Sequence, residues 1–402
     1  MVVKDLDKKI KAYALKNAIS HGGKANPGAI VSALFNEGLE KSGVKKIMVE
    51  INKVVREVSK LKLEEQEKEL EKLEKFISHR IEREGLPEIP NVEKGVFTRF
   101  APSPSGAMHV GHALTASIAY DYVKEYGGKM ILRIEDTNAD NIYLPAYDLL
   151  EKDGKWLFEN NCEIVIQSDR MKLYYKYAEK LIDLGKAYVC ECSGDEFRKI
   201  AKNKKECSCR NKPVEENIKD WKKMLSVKGF VEGKAILRFR SDMKHPNPAM
   251  RDFPLARINE TKHPRQGNKY RVWPLMNLSV TVDDIEMKLT HIIRAKEHVD
   301  NAKRQKMIFD VLGKKYPWDA YLGRWHIEGL RLSASEITRE IVEGKYSGWD
   351  DPELPTLKAL AKRGYSPRAF HKMAESRGLS GVDKKITKKE FFELLDKFNK
   401  KE

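Results

Sequence analysis

The sequence predicts an α/β protein built on a parallel β-sheet, with a cysteine-rich insert and helical regions at both ends. Three observations support this prediction: a strand–loop–helix–strand succession begins near residue 95, four cysteines cluster at 190–209, and the first 90 residues carry helical, charge-rich patterns. A strand–helix–strand unit implies parallel strands, and such sheets bind ligands beyond the carboxyl ends of their strands. We therefore expect the chemistry where the first strand ends.

The composition bounds the class of protein. Of 402 residues, 41% are hydrophobic and 34% are charged, which excludes a disordered chain and a disulfide-stapled mini-protein. No run approaches the roughly 20 apolar residues of a membrane span, and the N-terminus has charges where a signal peptide needs apolar residues. We expect a cytoplasmic protein without membrane contact. Lys and Arg outnumber Asp and Glu by 76 to 60, which favours a polyanionic partner.

The first 90 residues predict a separate helical domain. Apolar residues recur at helical spacing around Ile47, Ile51, Val54 and Val58, and a stretch rich in Glu and Lys follows. Two prolines at 85–91 break the helical pattern, so we place a linker there.

The strand–helix–strand unit carries the first candidate site. It reads as a strand (VFTRFA), a loop (PSPSGAMH), a helix that begins at Val110 and a second strand (KMILRIED). His109 and His112 lie three residues apart in the first helical turn, with Gly111 between them. A helix N-terminus favours anions, and imidazoles there can donate to a triphosphate. The alternative is a purely structural histidine pair.

Further elements follow from shorter patterns. Helices are predicted at 171–184 and 213–225, strands at 234–239, 278–283 and 289–293, and mostly helix after residue 302.

The cysteines predict a metal site. Cys190, Cys192, Cys207 and Cys209 form two CxC pairs separated by fourteen residues. Two close thiolate pairs can supply the four ligands of a structural zinc ion. Free surface thiols and a catalytic metal are the alternatives. Cys162 stands alone near an apolar stretch and is expected in a core.

Six segments of the chain form a recognisable set, namely TRFAPSPSGAMHVGH, ILRIEDTNADN, VIQSDR, KHPRQGNKYRVWP, THIIRAKEHVDN and SGWDDPELPTLKALAKRG. The set resembles class I aminoacyl-tRNA synthetases, with HVGH in the place of their HIGH motif, and within them the archaeal-type glutamyl-tRNA synthetases. The resemblance implies activation of glutamate by ATP to an adenylate, with Mg²⁺ on the triphosphate, and transfer to the 3′ end of tRNA(Glu).

The resemblance also implies a domain order. A Rossmann-type catalytic domain would occupy 91–185 and 251–345, interrupted at 186–250 by an insert that grips the tRNA acceptor arm and contains a zinc knuckle. An N-terminal helical domain at 1–90 and a helical stem-contact region at 346–402 would flank it.

Site residues follow by similarity to the family. Glutamate would be bound by Arg99, Ala101, Ser103, Glu135, Met276 and Arg294. ATP would be bound by His109, Gly111, His112, Glu297, Arg331 and Ser333. The catalytic set would be His109, His112, Ser333 and Ser335. A guanidinium forks onto a carboxylate through two hydrogen bonds, which suits Arg99 and Arg294. For Glu135 the alternative is an ion pair with Arg133 across the sheet.

Two segments depart from the family pattern. The second class I signature is a lysine-bearing loop, and the chain has Glu336 in the place of its lysine. We expect an anion facing the triphosphate to slow the reaction about tenfold or more, unless Arg331 or Arg339 supplies the positive charge instead. Met276 stands where relatives usually have an aromatic residue. Either the pocket has changed its substrate choice or Trp273 compensates.

The chain ends near the point where archaeal-type enzymes continue into anticodon-binding β-barrels. A separate anticodon-binding polypeptide, a cut at a domain boundary and a paralogue that never reads an anticodon are the alternatives. The main hypothesis is a glutamate–tRNA ligase. The others are a paralogue that adenylates an amino acid for another acceptor and a catalytically silent tRNA-binding protein.

Overall fold

A computed structural model of the chain describes residues 5–77 and 85–400, apart from the side chains of Asn36 and Lys41. The chain divides into two compact units, Met1–Arg83 and Glu84–Glu402. The helices of the described residues are too short or too polar to cross a bilayer.

The first unit is helical. Over residues 5–77 its helices are α1 (Leu6–Ser20), α2 (Pro27–Asn36), α3 (Val44–Val58) and α4 (Leu63–Leu73). Asn26 caps α2 by accepting a hydrogen bond from the Gly28 N–H, and a proline occupies the first turn, where its missing N–H is not needed. Ile10, Leu15, Ile51 and Val58 form the centre of its core.

The second unit alternates strands and helices. In chain order they are β1 (Val96–Phe100), α5 (Val110–Tyr126), β2 (Gly128–Ile134), α6 (Ala146–Leu157), β3 (Glu163–Ile166), α7 (Met171–Asp183), β4 (Ala187–Cys190), α8 (Gly194–Lys202), α9 (Val214–Leu225), β5 (Ile236–Phe239), β6 (Pro254–Ile258), β7 (Val272–Pro274), α10 (Met276–Glu286), β8 (His291–Ala295), α11 (Val299–Val311), β9 (Trp318–Leu322), β10 (Trp325–Glu328), α12 (Ala334–Val342), α13 (Leu357–Lys362), α14 (Pro367–Glu375), β11 (Lys384–Thr387) and α15 (Lys388–Asn399).

Parallel strands form the centre of this unit. β1, β2 and β3 pair in parallel, and so do β8 and β9. The Thr290 N–H, just before β8, donates to the Phe97 carbonyl of β1 at 2.9 Å, which brings the two groups of strands side by side. The predicted α/β class with parallel strands is confirmed, and β1, β2 and β8 end at the same edge.

A second sheet is antiparallel. It has the strand order β4–β5–β6–β7, and its core includes Trp221, Leu237, Leu255 and Trp273. β6 and β7 continue this sheet to Pro274, beyond residue 250, where the family resemblance places the end of the insert; the domain boundaries stay a prediction.

One element was predicted wrongly. Residues 278–283 are not a strand but the middle of α10. Apolar residues alternate with polar ones from Met276 to Val282, which is the pattern of a half-buried strand. Because residues 277–284 are all buried, the helix has no solvated face and therefore no helical periodicity. The region after 302, predicted as mostly helical, also contains β9, β10 and β11.

Candidate active site and cysteine cluster

A cavity of about 650 Å³ opens at the carboxyl ends of β1 and β8. Its walls come from the end of β1, the first turn of α5, the end of β8 and the strand β10. The lining includes Arg99, Phe100, Ala101, His109, Gly111, His112, Thr115, Arg294, Glu297, Arg324, Trp325, His326, Glu328, Leu330 and Leu332. This is the edge at which parallel sheets bind ligands.

The two histidines form a capped, stacked pair at the start of α5. The Gly111 N–H donates to His109 Nδ1 at 3.2 Å, and the His109 N–H donates to His112 Nδ1 at 3.5 Å. The rings are parallel to within 16°, with centroids 3.8 Å apart. Because both Nδ1 atoms accept hydrogen bonds, each neutral ring carries its hydrogen on Nε2. Both rings are therefore hydrogen-bond donors without being charged.

Burial keeps this pair neutral. It lowers the pKa of His112 to about 4 and, together with the neighbouring His112, lowers the pKa of His109 well below its usual value. A second positive charge at 3.8 Å would be unfavourable in a buried site. At neutral pH the pair offers two oriented N–H dipoles.

The turn that contains the HVGH motif, residues 109–112, is held by hydrogen bonds of its flanking backbone. Val110 N–H donates to the Pro355 carbonyl at 3.0 Å, and Leu357 N–H donates to the Met108 carbonyl at 2.9 Å. The buried Asp153 carboxylate accepts from Met108 N–H at 2.8 Å. These contacts show that the segment at 347–364 (SGWDDPELPTLKALAKRG) supports the turn that contains the HVGH motif. A β-carbon at Gly111 would lie 3.2 Å from the His109 ring, so glycine lets the ring pack against the backbone.

Arg99 and Arg294 place two guanidinium groups at the cavity. Each is only 6% exposed. Arg294 donates to Gln305 Oε1 at 2.9 Å and to the Tyr316 hydroxyl. The Nε atoms of both arginines have no hydrogen-bond partner among the described residues. A buried guanidinium with an unpaired donor favours an anionic ligand.

Glu135 is held by Arg133 and does not line the cavity. Arg133 Nη2 lies 3.1 Å from Glu135 Oε1, and Arg133 Nη1 lies 2.7 Å from Asp284 Oδ1. The ion pair considered as the alternative for Glu135 is present. Burial raises the pKa of Glu135, although Arg133 and Arg99 oppose it. Arg99 Nε lies 3.6 Å from the same Asp284 atom, so the network connects Glu135 to the cavity indirectly.

Two other residues expected at the glutamate site lie off the cavity. Ser103 is exposed in the loop after β1, and Met276 is 40% exposed at the start of α10. Trp273 is buried and stacks on His263 at 4.7 Å, so its indole packs in the core of the antiparallel sheet. Of the six expected glutamate-site residues, Arg99, Ala101 and Arg294 line the cavity.

The second signature loop meets the cavity only through its leucines. Leu330 and Leu332 line the cavity, and Arg331 between them lines a neighbouring cleft. Ser333 caps α12 by accepting from the Glu336 N–H at 3.4 Å. The Ser335 hydroxyl lies 3.4 Å from that of Ser333, and neither serine lines the cavity.

Glu297 lines the cavity and is paired. Arg324 donates to its Oε1 at 2.8 and 3.0 Å. Burial acts to raise the pKa of Glu297, but the hydrogen bonds from Arg324 outweigh it and hold the pKa below its ordinary value. The carboxylate is therefore charged at neutral pH and accepts from Arg324.

Sequence reasoning missed the wall formed by β10. Arg324, Trp325, His326 and Glu328 line the cavity there. The alternation of apolar and polar residues in Trp325–Glu328 is too short to predict a strand. β10 pairs with β11, which lies about 60 residues later in the chain. The sequence feature that could have indicated this wall is the run RWHIE at 324–328, in which charged and aromatic residues lie together.

The four clustered cysteines converge. Their Sγ atoms lie within 4.8 Å of one another, with 3.9 Å between Cys190 and Cys207 and 4.0 Å between Cys192 and Cys209. Thiolates 2.3 Å from a tetrahedral zinc ion lie about 3.8 Å apart, so the donor set fits a metal ion. The Glu191 N–H donates to Cys209 Sγ at 3.5 Å, a contact that stabilises a thiolate.

Cys162 lies apart from this cluster. It packs against the main core as predicted, and burial raises its pKa to about 11.

Comparison with known proteins identifies the family. A model of the family "tRNA synthetases class I (E and Q), catalytic domain" matches residues 95–402. The chain is 43% identical over 98% of its length to the glutamate–tRNA ligase of Methanocaldococcus jannaschii, and 45% and 46% identical over 95% and 93% to those of Pyrococcus furiosus and Pyrococcus abyssi. It covers 71%, 69% and 67% of those ligases.

A solved structure shares the fold. The glutamate–tRNA ligase of Elizabethkingia meningosepticum in complex with its amino acid matches 70% of this chain and 60% of its own, with a TM-score of 0.50 and 22% identity. The family match covers the strands, the histidine turn and the cavity described above, and the identity to the archaeal ligases extends over nearly the whole chain. The chain belongs to the class I tRNA synthetases of the glutamyl and glutaminyl group.

Proposed function

We propose that the chain is a glutamate–tRNA ligase, which activates glutamate with ATP and transfers it to the 3′ end of tRNA(Glu). One observation carries the proposal: a single cavity brings together two neutral histidine donors and two buried guanidinium groups. The archaeal relatives that support the proposal are glutamate–tRNA ligases, and their sequences match this chain over almost all of its length. These relatives do not favour a paralogue with another acceptor or a silent tRNA-binding protein.

Arg99 and Arg294 bind the side-chain carboxylate of glutamate in this proposal. The Nε–H groups of both arginines have no hydrogen-bond acceptor among the described residues, although Arg99 Nε lies 3.6 Å from Asp284 Oδ1, so a substrate carboxylate can accept from both. Ala101 leaves room beside them. Glu135 acts through Arg133 and Asp284, which orient Arg99.

Ser103 and Met276 remain predictions for the glutamate site. Both lie off the cavity, and a contact with glutamate requires movement of the loop after β1 or of the start of α10.

The histidine pair serves the first reaction. The α-carboxylate of glutamate attacks the α-phosphorus of ATP, a P–O bond forms, and pyrophosphate leaves with the electrons of the broken bond. Negative charge builds on the α-phosphate oxygens as this happens. The Nε2–H groups of His109 and His112 are preorganised donors for that charge, and Gly111 lets the phosphates approach the helix N-terminus.

The proposal includes four further ATP contacts, those of Glu297, Arg331, Ser333 and Ser335. Glu297 already lines the cavity. Arg331, Ser333 and Ser335 reach ATP only if the loop at 331–336 moves. Mg²⁺ is held mainly by the triphosphate oxygens.

The cysteine cluster holds one structural zinc ion in this proposal, inside the insert predicted at 186–250. Zinc there replaces a hydrophobic core in a small module that contacts the tRNA acceptor arm. Several points stay predictions. They are the catalytic halves at 91–185 and 251–345, the stem-contact region at 346–402, a separate anticodon-binding polypeptide and a cytoplasmic location.

The test is glutamate-dependent exchange of labelled pyrophosphate into ATP, with and without bulk tRNA. We expect exchange with glutamate and tRNA in the wild type, and at least about 100-fold slower exchange in His112→Asn. His21→Asn, a substitution of an exposed histidine in the first unit, is the matched control and should keep full exchange. Exchange driven by another amino acid, or none at all in a folded zinc-loaded sample, contradicts the proposal.

A further inference from the structure

The first unit lies outside the part of the chain that the family model describes, since that match begins at residue 95. Its most distinctive surface is on α3. Ile51, Val54 and Val58 form the buried side of this helix. The opposite side carries Lys45, Lys46, Lys53 and Arg56, and Lys60 follows directly after the helix. We call these five residues the basic stripe.

The basic stripe is narrow, with Lys45 and Lys46 near the start of α3 and Lys53 and Arg56 near its end, about two helical turns apart. At 100° per residue, the four helical members and the exposed Val49 fall within an arc of about 100°. All five stripe residues are exposed. From Lys45 to Lys60 the stripe extends about 22 Å at 1.5 Å per residue.

The stripe has no acidic partner among the described residues. Glu50 and Glu57 follow Lys46 and Lys53 at the i,i+4 spacing, yet neither pair forms a salt bridge, whereas Lys11 and Lys72 both pair with Glu69 elsewhere in the unit. Lys preceding Glu is the less favourable order for such a pair. Glu50 and Glu57 therefore lie beside the stripe on the helix surface, but no stripe residue has an ion pair among the described residues.

We propose that the basic stripe binds the sugar–phosphate backbone of the tRNA, an inference that rests on the proposed function. A duplex carries roughly one phosphate charge per 1.7 Å of its axis, so a 22 Å row of cations faces several phosphates at once. Lysine and arginine at exposed positions contact phosphates without reading bases. The stripe therefore adds affinity for RNA without adding sequence specificity.

The experiment measures binding of labelled bulk tRNA to the full chain as a function of salt. The variant is Lys53→Ala/Lys60→Ala. Its matched control is Lys152→Ala/Lys155→Ala on α6, which removes two charges from lysines that are paired with Asp148 and Glu151. We expect the stripe variant to lose about tenfold or more in affinity near 0.1 M salt, and its slope of log K against log salt to shrink by about 1.4–1.8.

A second readout separates binding from folding and chemistry. In aminoacylation the stripe variant should raise KM for tRNA with kcat unchanged, and Lys53→Arg/Lys60→Arg should restore the wild-type KM. Equal tRNA affinity of wild type and stripe variant overturns the proposal and leaves an acidic protein as the partner of this surface. Equal loss in both variants also overturns it, since net charge would then explain the effect. A wild type that exchanges no pyrophosphate contradicts the proposed function itself.

Discussion

Arg331 forms an ion pair with Glu340 and lines a cleft beside the cavity that its neighbours Leu330 and Leu332 line. Leu330 lines both spaces, whereas Arg331 lines the cleft and Leu332 lines the cavity. Glu336 Oε2 lies 3.9 Å from its Nε and adds a second acidic neighbour. Arg339, the other candidate to replace the missing lysine, lies 3.9 Å from Glu343. Both arginines have carboxylate neighbours in this structure, and neither lines the cavity.

Replacement of Glu336 by lysine should increase activity. The substitution restores a cation where the family has one and removes an acidic neighbour of Arg331. We expect Glu336→Lys to raise the rate of pyrophosphate exchange about tenfold, and Glu336→Gln, which removes the charge alone, to raise it less. Equal rates in all three proteins would show that the charge at this position is irrelevant to turnover.

The histidine pair should work in its neutral form. His112→Asn should lower the exchange rate at least about 100-fold, because the shorter side chain does not place its amide N–H at the position of the imidazole Nε2–H. Since burial lowers the pKa of His112 to about 4, the pair stays neutral from pH 8 down to pH 5. The wild-type rate should therefore show no acidic limb from this pair above pH 5. A limb near pH 6.5 that disappears in His112→Asn would contradict neutral donors.

The sequence predicted what depends on local pattern. The β1–α5–β2 unit, the helix at 171–184 and the cysteine cluster follow from spacing within short segments, and the structure contains them. The strand predicted at 278–283 failed because a helix buried on all sides has no amphipathic signal.

The site was harder to predict than the fold. The Arg331–Glu340 pair depends on how a loop folds back on α12, and β10 depends on pairing with a strand far along the chain. Glu135 was assigned to the glutamate site by analogy, with an ion pair to Arg133 as the alternative; the structure contains that ion pair, and Glu135 does not line the cavity. Contacts between residues that are distant in the chain produce no hydrophobic periodicity from which they could be predicted.

The cysteine cluster should bind one zinc ion per chain. Metal analysis of the purified protein should find about one equivalent, and Cys207→Ser should reduce it and lower the melting temperature of the insert. Cys162→Ser is the matched control, because Cys162 lies outside the cluster, and it should retain the metal. A wild type with far less than one equivalent and full thermal stability would refute the metal assignment.

Asp153 should make the protein less stable as the pH rises. Burial raises its pKa to about 7, so the folded state holds a proton that an unfolded Asp loses near pH 4. Stability from this group is greatest below pH 4 and declines as the pH rises towards 7. Asp153→Asn keeps an acceptor for the Met108 N–H and should remove this decline, as melting temperatures at pH 5 and pH 8 would reveal. Asp148→Asn, an exposed change on the same helix, should leave the decline in place.

His371 should contribute stability with the same direction of pH dependence as Asp153. Its Nδ1 lies 2.7 Å from Asp121 Oδ1 and its Nε2 lies 2.9 Å from the Leu157 carbonyl, so both ring nitrogens face acceptors and both must carry hydrogens. Burial acts to lower the pKa of His371, but the hydrogen bond to Asp121 outweighs it and raises the pKa. The stabilisation is complete below pH 6.5, the unfolded value, and is lost as the pH rises through the folded pKa.

His371→Gln should therefore lower the melting temperature more at pH 6 than at pH 9. Asp121→Asn should remove the same difference, and the double variant should add little to either single one. Additive losses in the double variant would show that the two side chains act independently.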